Sequence, residues 1–567
     1  MTPGCAFRRS GFRRSCFRRL VSSLGKTCVP LALACSTGTP PVSPVPPGGE
    51  APLAAAPPSA AAPADAVALA PLTVAVESGL VQGVAGKDGS IAVFRGIPYA
   101  APPTGALRWR PPERPAPWSG VRSAATFSKS CVQELRRSLL PWTEEFMLRN
   151  DVDEDCLALN VWRPQAPSQA QPPLPVLVYL YGGGFNSGSG EVALYDGEAL
   201  ARRGIIVITL NYRVGGFGFF CHPELSAESP QHSCGNYGLL DQISALGWVQ
   251  RNIAAFGGDP SNITLSGQSA GAASVHYLTQ SPLAKGLFQR AIAQSGPWDR
   301  RNQSALRADE ERHGAELASG LSLAALRALP APELFAKLAA SGARFRPIVD
   351  GWVVPDQLGA LLARGQLHDV PLLTGLTADE RSSQKSYGKL TLAEWQAFVR
   401  KDYGDSAEAV LAHYPATTDM EAGAQQKQLL RDTGLATLVD CRKERARSGK
   451  SRDFGYLFER AIPWPEHPEY QAFHSAELPY VFDNLAVLAR PWQDADRALA
   501  ELMSSYWINF IRQGDPNGPG LPHWPSASDQ LMRLGAQPSA APALAAAPAE
   551  LLARRFPAAH TLPAKAP

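Results

Sequence analysis

Ser269 lies in the stretch LSGQSAGAAS, where it is flanked by glycines in the spacing Gly-x-Ser-x-Gly. An apolar run precedes the serine and small residues follow it, which predicts a strand, a sharp turn and a helix. Gly267 and Gly271 lack the side chains that would clash across such a turn. The pattern therefore predicts a nucleophilic hydroxyl at a helix N-terminus, where amide groups favour negative charge.

A serine hydroxyl is a weak nucleophile and needs a general base, which an acidic side chain orients. In chains with this strand–turn–helix motif the acid follows the serine and the histidine follows the acid. The segment VPLLTGLTADE predicts a strand that ends in an acidic loop at Glu380. The histidines after that loop are His413, His467, His474, His523 and His560. His523 resembles a surface turn and His560 lies in the tail, but the pattern does not decide among the other three.

Acyl transfer also needs amide donors that stabilise the negative charge developing on the carbonyl oxygen. The segment YGGGF follows an apolar run and supplies a glycine loop that a substrate can approach closely. We predict an oxyanion hole formed by the amides of Gly183, Gly184 and Ala270. The alternative interpretation of this loop alone is a plain turn.

Apolar segments alternate with helical ones along the body of the chain, which predicts a large, mostly parallel sheet with helices on both faces. Ligands of such sheets bind at the carboxyl ends of the strands, where each candidate residue above lies. The predicted strands are Val176–Leu180, Gly204–Arg213, 262–267, 289–296 and Val370–Glu380, and the predicted helices are 236–260 and 270–280.

The composition of the 567 residues is that of a globular protein, with 45% hydrophobic and 19% charged residues and a net charge of +3. Most of the excess positive charge lies in the first 26 residues, so nothing favours nucleic acid as a partner. No run of 18 apolar residues predicts a membrane-spanning helix. Cysteine and histidine spacing predicts no metal site, and we expect no cofactor.

We divide the chain into four parts. In residues 1–35, basic residues are followed by an apolar stretch and then by small residues, which is the order of an export signal. The signal could be cleaved, or Cys35 could be attached to a lipid. The alternative to an export signal is a misassigned start codon. Residues 36–71 are a Pro/Ala-rich linker that cannot bury a core, and could tether the protein to a membrane through its N-terminus. The folded domain is expected over 72–535, with a low-complexity or weakly ordered tail over 536–567.

The cysteines of the body fit an exported protein, since neighbours in the sequence can pair in an oxidising compartment. The expected pairs are Cys131–Cys156 and Cys221–Cys234, and the alternative is buried thiols. Such a protein would be periplasmic, secreted or lipid-anchored at the cell surface. The sequence does not predict an oligomeric state.

Seven segments distributed over residues 72 to 530 together resemble the type-B carboxylesterase family, which includes cholinesterases and bacterial para-nitrobenzyl esterases. The resemblance implies one α/β-hydrolase domain with a deep active-site gorge and a small-molecule ester as substrate. It leaves two rivals: an amide or carbamate hydrolase of the same fold, and a non-catalytic adhesion homologue. The segments are GQSAGA, YGGGF, FRGIPYAAPPTGALRWRPP, DEDCLALNVW, NYRVGGFGFF, GNYGLLDQISALGWVQRNIAAFGGDP and WINFIRQGDPNGPGLPHWP.

The same resemblance assigns residues that the pattern left open. It implies that His474, in FHSAELPYVF, is the base and that Glu380 is the acid, although Arg381 replaces the glycine that usually follows. It implies a serine near the triad at Ser295 and an aromatic residue of the acyl pocket at Trp298. It also implies the ion pairs Arg108–Glu154 and Arg213–Asp241 and the disulfide Cys131–Cys156, whereas Cys221–Cys234 depends on proximity in the sequence alone.

Gln268 stands where cholinesterases carry a glutamate beside the nucleophile. A negative charge at this position would attract a substrate cation by about 3 kcal/mol at roughly 6 Å and an effective dielectric constant near 20. The absence of that charge argues against choline esters. Arg300, Arg301 and Arg381 lie near the predicted strand ends and suggest an anionic ester. The alternative is that these arginines are solvated on the surface.

Overall fold

Short buried apolar runs form the strands that the sequence pattern predicts, and they are described in a computed structural model over residues 72–136, 138–165, 172–296 and 303–554. The predicted export signal and linker lie outside the described residues. The strands are β1 (Thr73–Val76), β2 (Gly79–Gln82), β3 (Val84–Ala85), β4 (Ile91–Pro98), β5 (Val121–Ser123), β6 (Ser130–Cys131), β7 (Val152–Asp153), β8 (Ala158–Pro164), β9 (Leu174–Leu180), β10 (Ile206–Leu210), β11 (Gly258–Gln268), β12 (Arg290–Gln294), β13 (Leu372–Thr377), β14 (Asp453–Phe458), β15 (Gln530–Leu534) and β16 (Ser539–Pro542).

Helices follow most of the central strands and pack against them. Those of the described residues are α1 (Glu198–Arg202), α2 (Gly215–Phe219), α3 (Pro223–Glu228), α4 (Tyr237–Asn252), α5 (Ala270–Gln280), α6 (Arg307–Ala318), α7 (Leu323–Ala328), α8 (Ala331–Ala340), α9 (Leu358–Ala363), α10 (Leu392–Tyr403), α11 (Ala407–His413), α12 (Asp419–Ser448), α13 (Leu478–Val481), α14 (Asp494–Gln513) and α15 (Ala546–Ala553).

The main sheet has eleven strands in the order β16-β15-β14-β13-β12-β11-β9-β10-β8-β4-β3. The strands from β15 to β10 in this order are parallel to one another. At one edge β16 pairs antiparallel with β15, and at the other edge β8, β4 and β3 each pair antiparallel with the preceding strand in this order. This confirms the predicted α/β class and makes the sheet a mixed one. The uninterrupted apolar character of β10, in which every residue is buried, fits a strand covered on both faces.

The strand before Ser269 begins earlier than the sequence predicted. Pro260 was expected to mark the end of a helix, but α4 ends at Asn252 and Pro260 lies inside β11. The pairing of β11 with β9 shifts register between Gly258 and Ile263, and such an irregularity accommodates a residue without an amide hydrogen.

The folded region also extends beyond residue 535, where the sequence predicted that it would end. Ser539–Pro542 pairs with β15 as an edge strand, and Leu552 of α15 is fully buried. An edge strand needs hydrogen bonds on one side only, so an Ala/Pro-rich segment can form it even though its composition resembles a linker. Residues 555–567 lie outside the described residues.

Two buried ion pairs connect the loops around the sheet, and both confirm the pairs implied by the family resemblance. Arg213 contacts both carboxylate oxygens of Asp241 at 2.7 and 2.8 Å, and the two side chains are 4% and 0% exposed. Arg108 contacts Glu154 at 2.7 and 2.6 Å and is likewise buried. Such bidentate contacts fix the chain after β10 to helix α4.

Both disulfides expected from the sequence are formed. Cys131–Cys156 closes a loop with a sequence separation of 25, and Cys221–Cys234 closes one with a separation of 13. Among the described residues, no helix is long and apolar enough to cross a membrane.

Replacing Arg213 by methionine should lower the free energy of unfolding by about 3 to 5 kcal/mol, because Asp241 would keep a buried charge without its partner. The measurement is urea denaturation of the two proteins. Arg497→Met, which removes an exposed pair with Asp494, should cost less than about 1 kcal/mol. The double variant Arg213→Met/Asp241→Leu should recover most of the loss; a double variant as unstable as the single one would contradict this explanation.

Candidate active site

Ser269 connects the end of β11 to the start of α5 in a strained conformation, with φ of 57° and ψ of −121°. A Cβ atom on Gly267 would lie 2.4 Å from the backbone of Gly271, as predicted for a clash across the turn. A Cβ atom on Gly271 would instead lie 2.0 Å from the carbonyl oxygen of Leu180, in the neighbouring strand β9. The two glycines therefore allow two different close backbone contacts. Gly267 allows the contact within the turn, and Gly271 allows the contact between α5 and the sheet.

The glycine loop follows β9 and lies against the turn that carries the serine. Gly183 and Gly184 have φ values of 112° and 64°, which favour glycine. A Cβ atom on Gly182 would come within 2.9 Å of the Cβ atom of Ser269, so the loop has no room for a side chain there. Ala270 is the first residue of α5, and its amide belongs to the helix N-terminus, where amide groups lack partners within the helix.

The two loops that carry Glu380 and His474 are joined by backbone contacts. Asp379 forms an isolated parallel bridge with Phe473, and its amide donates to the carbonyl of Ala472 at 3.0 Å. In this arrangement a carboxylate oxygen of Glu380 hydrogen bonds Nδ1 of His474. The other carboxylate oxygen accepts from the amide of Thr377 at 2.9 Å, so both oxygens of Glu380 are engaged.

The substitution of arginine for glycine at position 381 has a simple structural explanation. Arg381 is exposed and is not among the described residues with positive φ, so the backbone at this position does not require glycine.

The electrostatics of this pair favour a charged carboxylate and a basic imidazole. Burial lowers the pKa of His474, but the charge and hydrogen bond of Glu380 outweigh that effect and raise it above its ordinary value. Burial raises the pKa of Glu380, but the attraction of His474 dominates and holds it below its usual range. The side chains of His474 and Glu380 are 20% and 24% exposed, so the pair is accessible from one side.

The structure separates the histidines that the sequence pattern left open. His474 lines a cavity together with Ser269. His413 ends α11 on the surface, and His467 contacts Glu469 at 3.2 Å. Neither of these two lines that cavity.

Gln268 contacts the imidazole of His474, and Trp142 contacts the backbone of the same residue. The side-chain nitrogen of Gln268 lies 3.3 Å from Nε2 of His474. Because Nδ1 faces a carboxylate, it carries the proton, and Nε2 accepts from the Gln268 amide. The indole nitrogen of Trp142 donates to the carbonyl of His474 at 3.1 Å. Sequence analysis did not identify Trp142, whose only signal is its place in the loop closed by Cys131–Cys156.

Ser295 follows β12 with φ of 53°, and its amide donates to the carbonyl of Gly375 at 2.9 Å. Its hydroxyl helps to lower the pKa of Glu380, which agrees with a position beside the carboxylate. Trp298, the predicted aromatic residue of the acyl pocket, lies outside the described residues.

Glu477 is a second carboxyl group behind the site that sequence analysis did not single out. It is completely buried, and it accepts a hydrogen bond from the side chain of Gln294 at 3.2 Å. Burial, together with the charge of Glu380, raises the pKa of Glu477 to about 7. The signal that could have identified it is its spacing in the segment His-x-x-Glu.

Two cavities meet at Ser269. The first, of about 440 Å³, contains His474 and Gln268 and is walled by Trp142 and Phe146 of the disulfide-closed loop. The second, of about 780 Å³, shares Ser269 with the first and is lined by Ala270 and further residues of α5. Gly184 belongs to the walls of both cavities, so the glycine loop lies at their junction. The arrangement gives an ester separate space for its two halves.

One cluster outside this site has the composition of a metal site. It consists of Cys221, Cys234 and Glu311, whose candidate ligand atoms lie within 4.8 Å of one another. The two sulfur atoms are joined in a disulfide, so they cannot act as thiolate ligands.

The sequence profile of the carboxylesterase family matches residues 70–550, which include the serine, both partner side chains and the glycine loop. The chain belongs to the carboxylesterase family. As a carboxylesterase it is a serine hydrolase of carboxylic esters, with the α/β-hydrolase fold.

Two relatives of this carboxylesterase are an esterase and a lipase. The chain is 36% identical to a fumonisin B1 esterase of Sphingopyxis macrogoltabida over 495 residues, which cover 84% of this chain and 88% of that protein. It is 34% identical to a bile salt-activated lipase of Mus musculus over 510 residues, which cover 80% of this chain and 81% of that protein.

The contact between Gln268 and His474 predicts a pH effect. A histidine base must be neutral, so with His474 in that role activity should be lost as the pH falls through its raised pKa. In Gln268→Glu a carboxylate beside Nε2 would favour the imidazolium. The acidic limb of kcat/KM should therefore move to higher pH by about 1 to 2 units.

The measurement is the pH profile of kcat/KM for a neutral ester. Gln231→Glu, which makes the same charge change on an exposed residue, should keep the wild-type profile. An acidic limb that stays in place, or moves to lower pH, in Gln268→Glu would show that Gln268 does not influence the base.

Proposed function

We propose that this carboxylesterase hydrolyses esters through an acyl-enzyme on Ser269, with His474 as general base and Glu380 as its partner. The observation that carries the proposal is the hydrogen bond between His474 Nδ1 and Glu380, in a cavity that also contains Ser269. That bond places a proton on Nδ1 and makes Nε2 the basic nitrogen. Nε2 contacts the Gln268 amide at 3.3 Å in this structure, and it can receive the serine proton once it exchanges that contact for the serine hydroxyl.

In the first step His474 removes the proton of Ser269, and the oxygen of the serine attacks the ester carbonyl. The imidazolium that forms is stabilised by Glu380, which remains ionised because its pKa is lowered. His474 then gives the proton to the departing alcohol. Water repeats the sequence on the acyl-enzyme, and His474 again acts first as base and then as acid.

The negative charge on the carbonyl oxygen is assigned to the amides of Gly183, Gly184 and Ala270. Support comes from the close approach of the glycine loop to Ser269 and from the position of Ala270 at the start of a helix. Each such donor contributes about 3 kcal/mol to stabilisation of the transition state. Backbone donors fixed by glycine loops need no reorganisation when the charge develops.

The substrate is proposed to be an ester with substantial groups on both sides of the scissile bond. The two cavities that meet at Ser269 support this, since each exceeds the space that a short acyl or alkyl group would fill. The second cavity is assigned to the acyl group, because Gly296 and Gln303 line it and the family resemblance implies an aromatic residue of the acyl pocket in the sequence between them. A site of this kind also fits a family that includes a fumonisin B1 esterase and a lipase.

We also propose that the protein is exported. The basic and apolar N-terminal sequence supports export, as do the two disulfides, which form and persist in oxidising compartments.

Ser269→Ala should lower kcat for para-nitrophenyl butyrate by about 10⁴- to 10⁶-fold, because the acyl-enzyme cannot form. Initial rates of nitrophenolate release measure the effect. Ser526→Ala, at an exposed position far along the chain, should retain the wild-type rate. Full hydrolysis by Ser269→Ala would disprove the proposed nucleophile.

A further inference from the structure

The second cavity has charged residues on its wall that the hydrolytic reaction does not use. Besides Ser269 and Ala270, the lining includes Arg344 and Arg346, both of which are exposed toward solvent. They lie on the segment between α8 and α9, opposite residues of α5. The cavity therefore connects the reacting serine with two guanidinium groups.

The balance of charge in this cavity is positive. Among the described residues that line it, the one carboxylate is Glu310, which is only partly exposed and lies 3.4 Å from His313. Within the described parts of the chain, neither arginine forms an ion pair with an acidic side chain. His276, also in the wall, contributes no charge at neutral pH because burial lowers its pKa to about 3.

The charge of Arg346 acts inside the cavity and not only at its rim. Burial raises the pKa of Tyr277, a wall residue whose hydroxyl contacts Ser304 at 2.9 Å, and the positive charge of Arg346 acts in the opposite direction. Such an effect falls off with distance, so Arg346 lies within electrostatic reach of the cavity wall.

The first cavity differs in this respect. Its lining also contains an arginine, Arg136, but this side chain contacts Glu134 at 2.5 Å, and Glu134 belongs to the same wall. The pair contributes no net charge. Counted over the described lining residues alone, the excess positive charge lies in the second cavity.

We infer that the second cavity binds acyl groups that carry a free carboxylate, with Arg344 and Arg346 as the residues that recognise it. The inference deepens the proposed function, since it assumes that Ser269 is the nucleophile and that this cavity holds the acyl half of the ester. The preferred substrates are then half-esters of dicarboxylic or polycarboxylic acids. Guanidinium groups suit this task because their planar donors match the geometry of a carboxylate.

The residues differ from those that the sequence suggested for an anionic substrate. Arg381 is exposed and lines neither cavity, which fits the alternative interpretation from the sequence, a solvated surface arginine. Arg300 and Arg301 lie outside the described residues. Arg344 and Arg346 had no signal in the sequence, because their segment follows no predicted strand and only the folded chain brings it to Ser269.

The test compares two matched esters: the para-nitrophenyl half-ester of adipic acid, which has a free carboxylate, and the para-nitrophenyl methyl diester of the same acid, which is neutral. The half-esters of suberic and sebacic acid extend the series to longer chains. The readout is the ratio of kcat/KM for the charged ester to kcat/KM for its neutral partner. The ratio cancels any general loss of activity, and hydrolysis of the neutral diester reports separately on the proposed function.

Wild-type enzyme should prefer at least one charged ester of the series, and Arg344→Gln/Arg346→Gln should lower that ratio about fivefold or more. Raising the ionic strength should lower the ratio in the wild type and have little effect in the double variant, because the arginines are exposed to screening. Arg136→Gln, in the first cavity, and Arg497→Gln, on the remote surface, should keep the wild-type ratio.

Two results would overturn the inference. One is a ratio that the Arg344→Gln/Arg346→Gln substitutions leave unchanged across the series, which would mean that these arginines are solvated surface groups. The other is a fall of the ratio in Arg136→Gln alone, which would assign the carboxylate to the first cavity. Loss of hydrolysis of the neutral diester in Ser269→Ala tests the proposed function independently.

Discussion

The close contact of α5 with strand β9 determines the geometry of the whole site. Gly271 lies so near the carbonyl of Leu180 that a single added carbon would overlap it. Leu180 is paired with Gly267 in the parallel ladder of β9 and β11, and the glycine loop begins directly after β9. The register of two adjacent strands therefore brings the serine and the amides of the glycine loop together, before any side chain is considered.

The other components follow from the same parallel arrangement. Strands β11, β12 and β13 are neighbours, and the residues that follow them are Ser269, Ser295 and the loop of Glu380. Their carboxyl ends lie at one edge of the sheet, as in other open α/β sheets. His474 is supplied by a loop that the bridge between Asp379 and Phe473 holds beside the acid. The sheet thus positions the four segments that carry Ser269, Ser295, Glu380 and His474 mainly through backbone contacts.

Local motifs predicted the parts of the site that depend on local geometry. The strand, turn and helix around Ser269 were predictable because glycine spacing and strand periodicity act over a few residues. The pairing of Glu380 with His474 joins residues 94 positions apart, so the pattern left three histidines open and only the family resemblance chose among them. The roles of Trp142 and Arg346 depend on loops that meet only in the folded chain. Strand β16 was not predicted, because its composition resembles that of a linker. Its order comes from pairing with β15, which the local sequence does not reveal.

The two sides of the serine differ in what mutation can change. The turn that carries Ser269 is held by a backbone contact between Gly271 and Leu180. No exchange of neighbouring side chains can therefore make room for a larger residue at Gly271. The wall of the second cavity combines buried residues such as Phe185 and Ile348 with exposed side chains such as Arg344, which is not part of the core. If the second cavity holds the acyl group as proposed, single-codon changes at its exposed wall can alter which acyl groups the enzyme accepts, while the backbone contact that positions Ser269 is inherited unchanged.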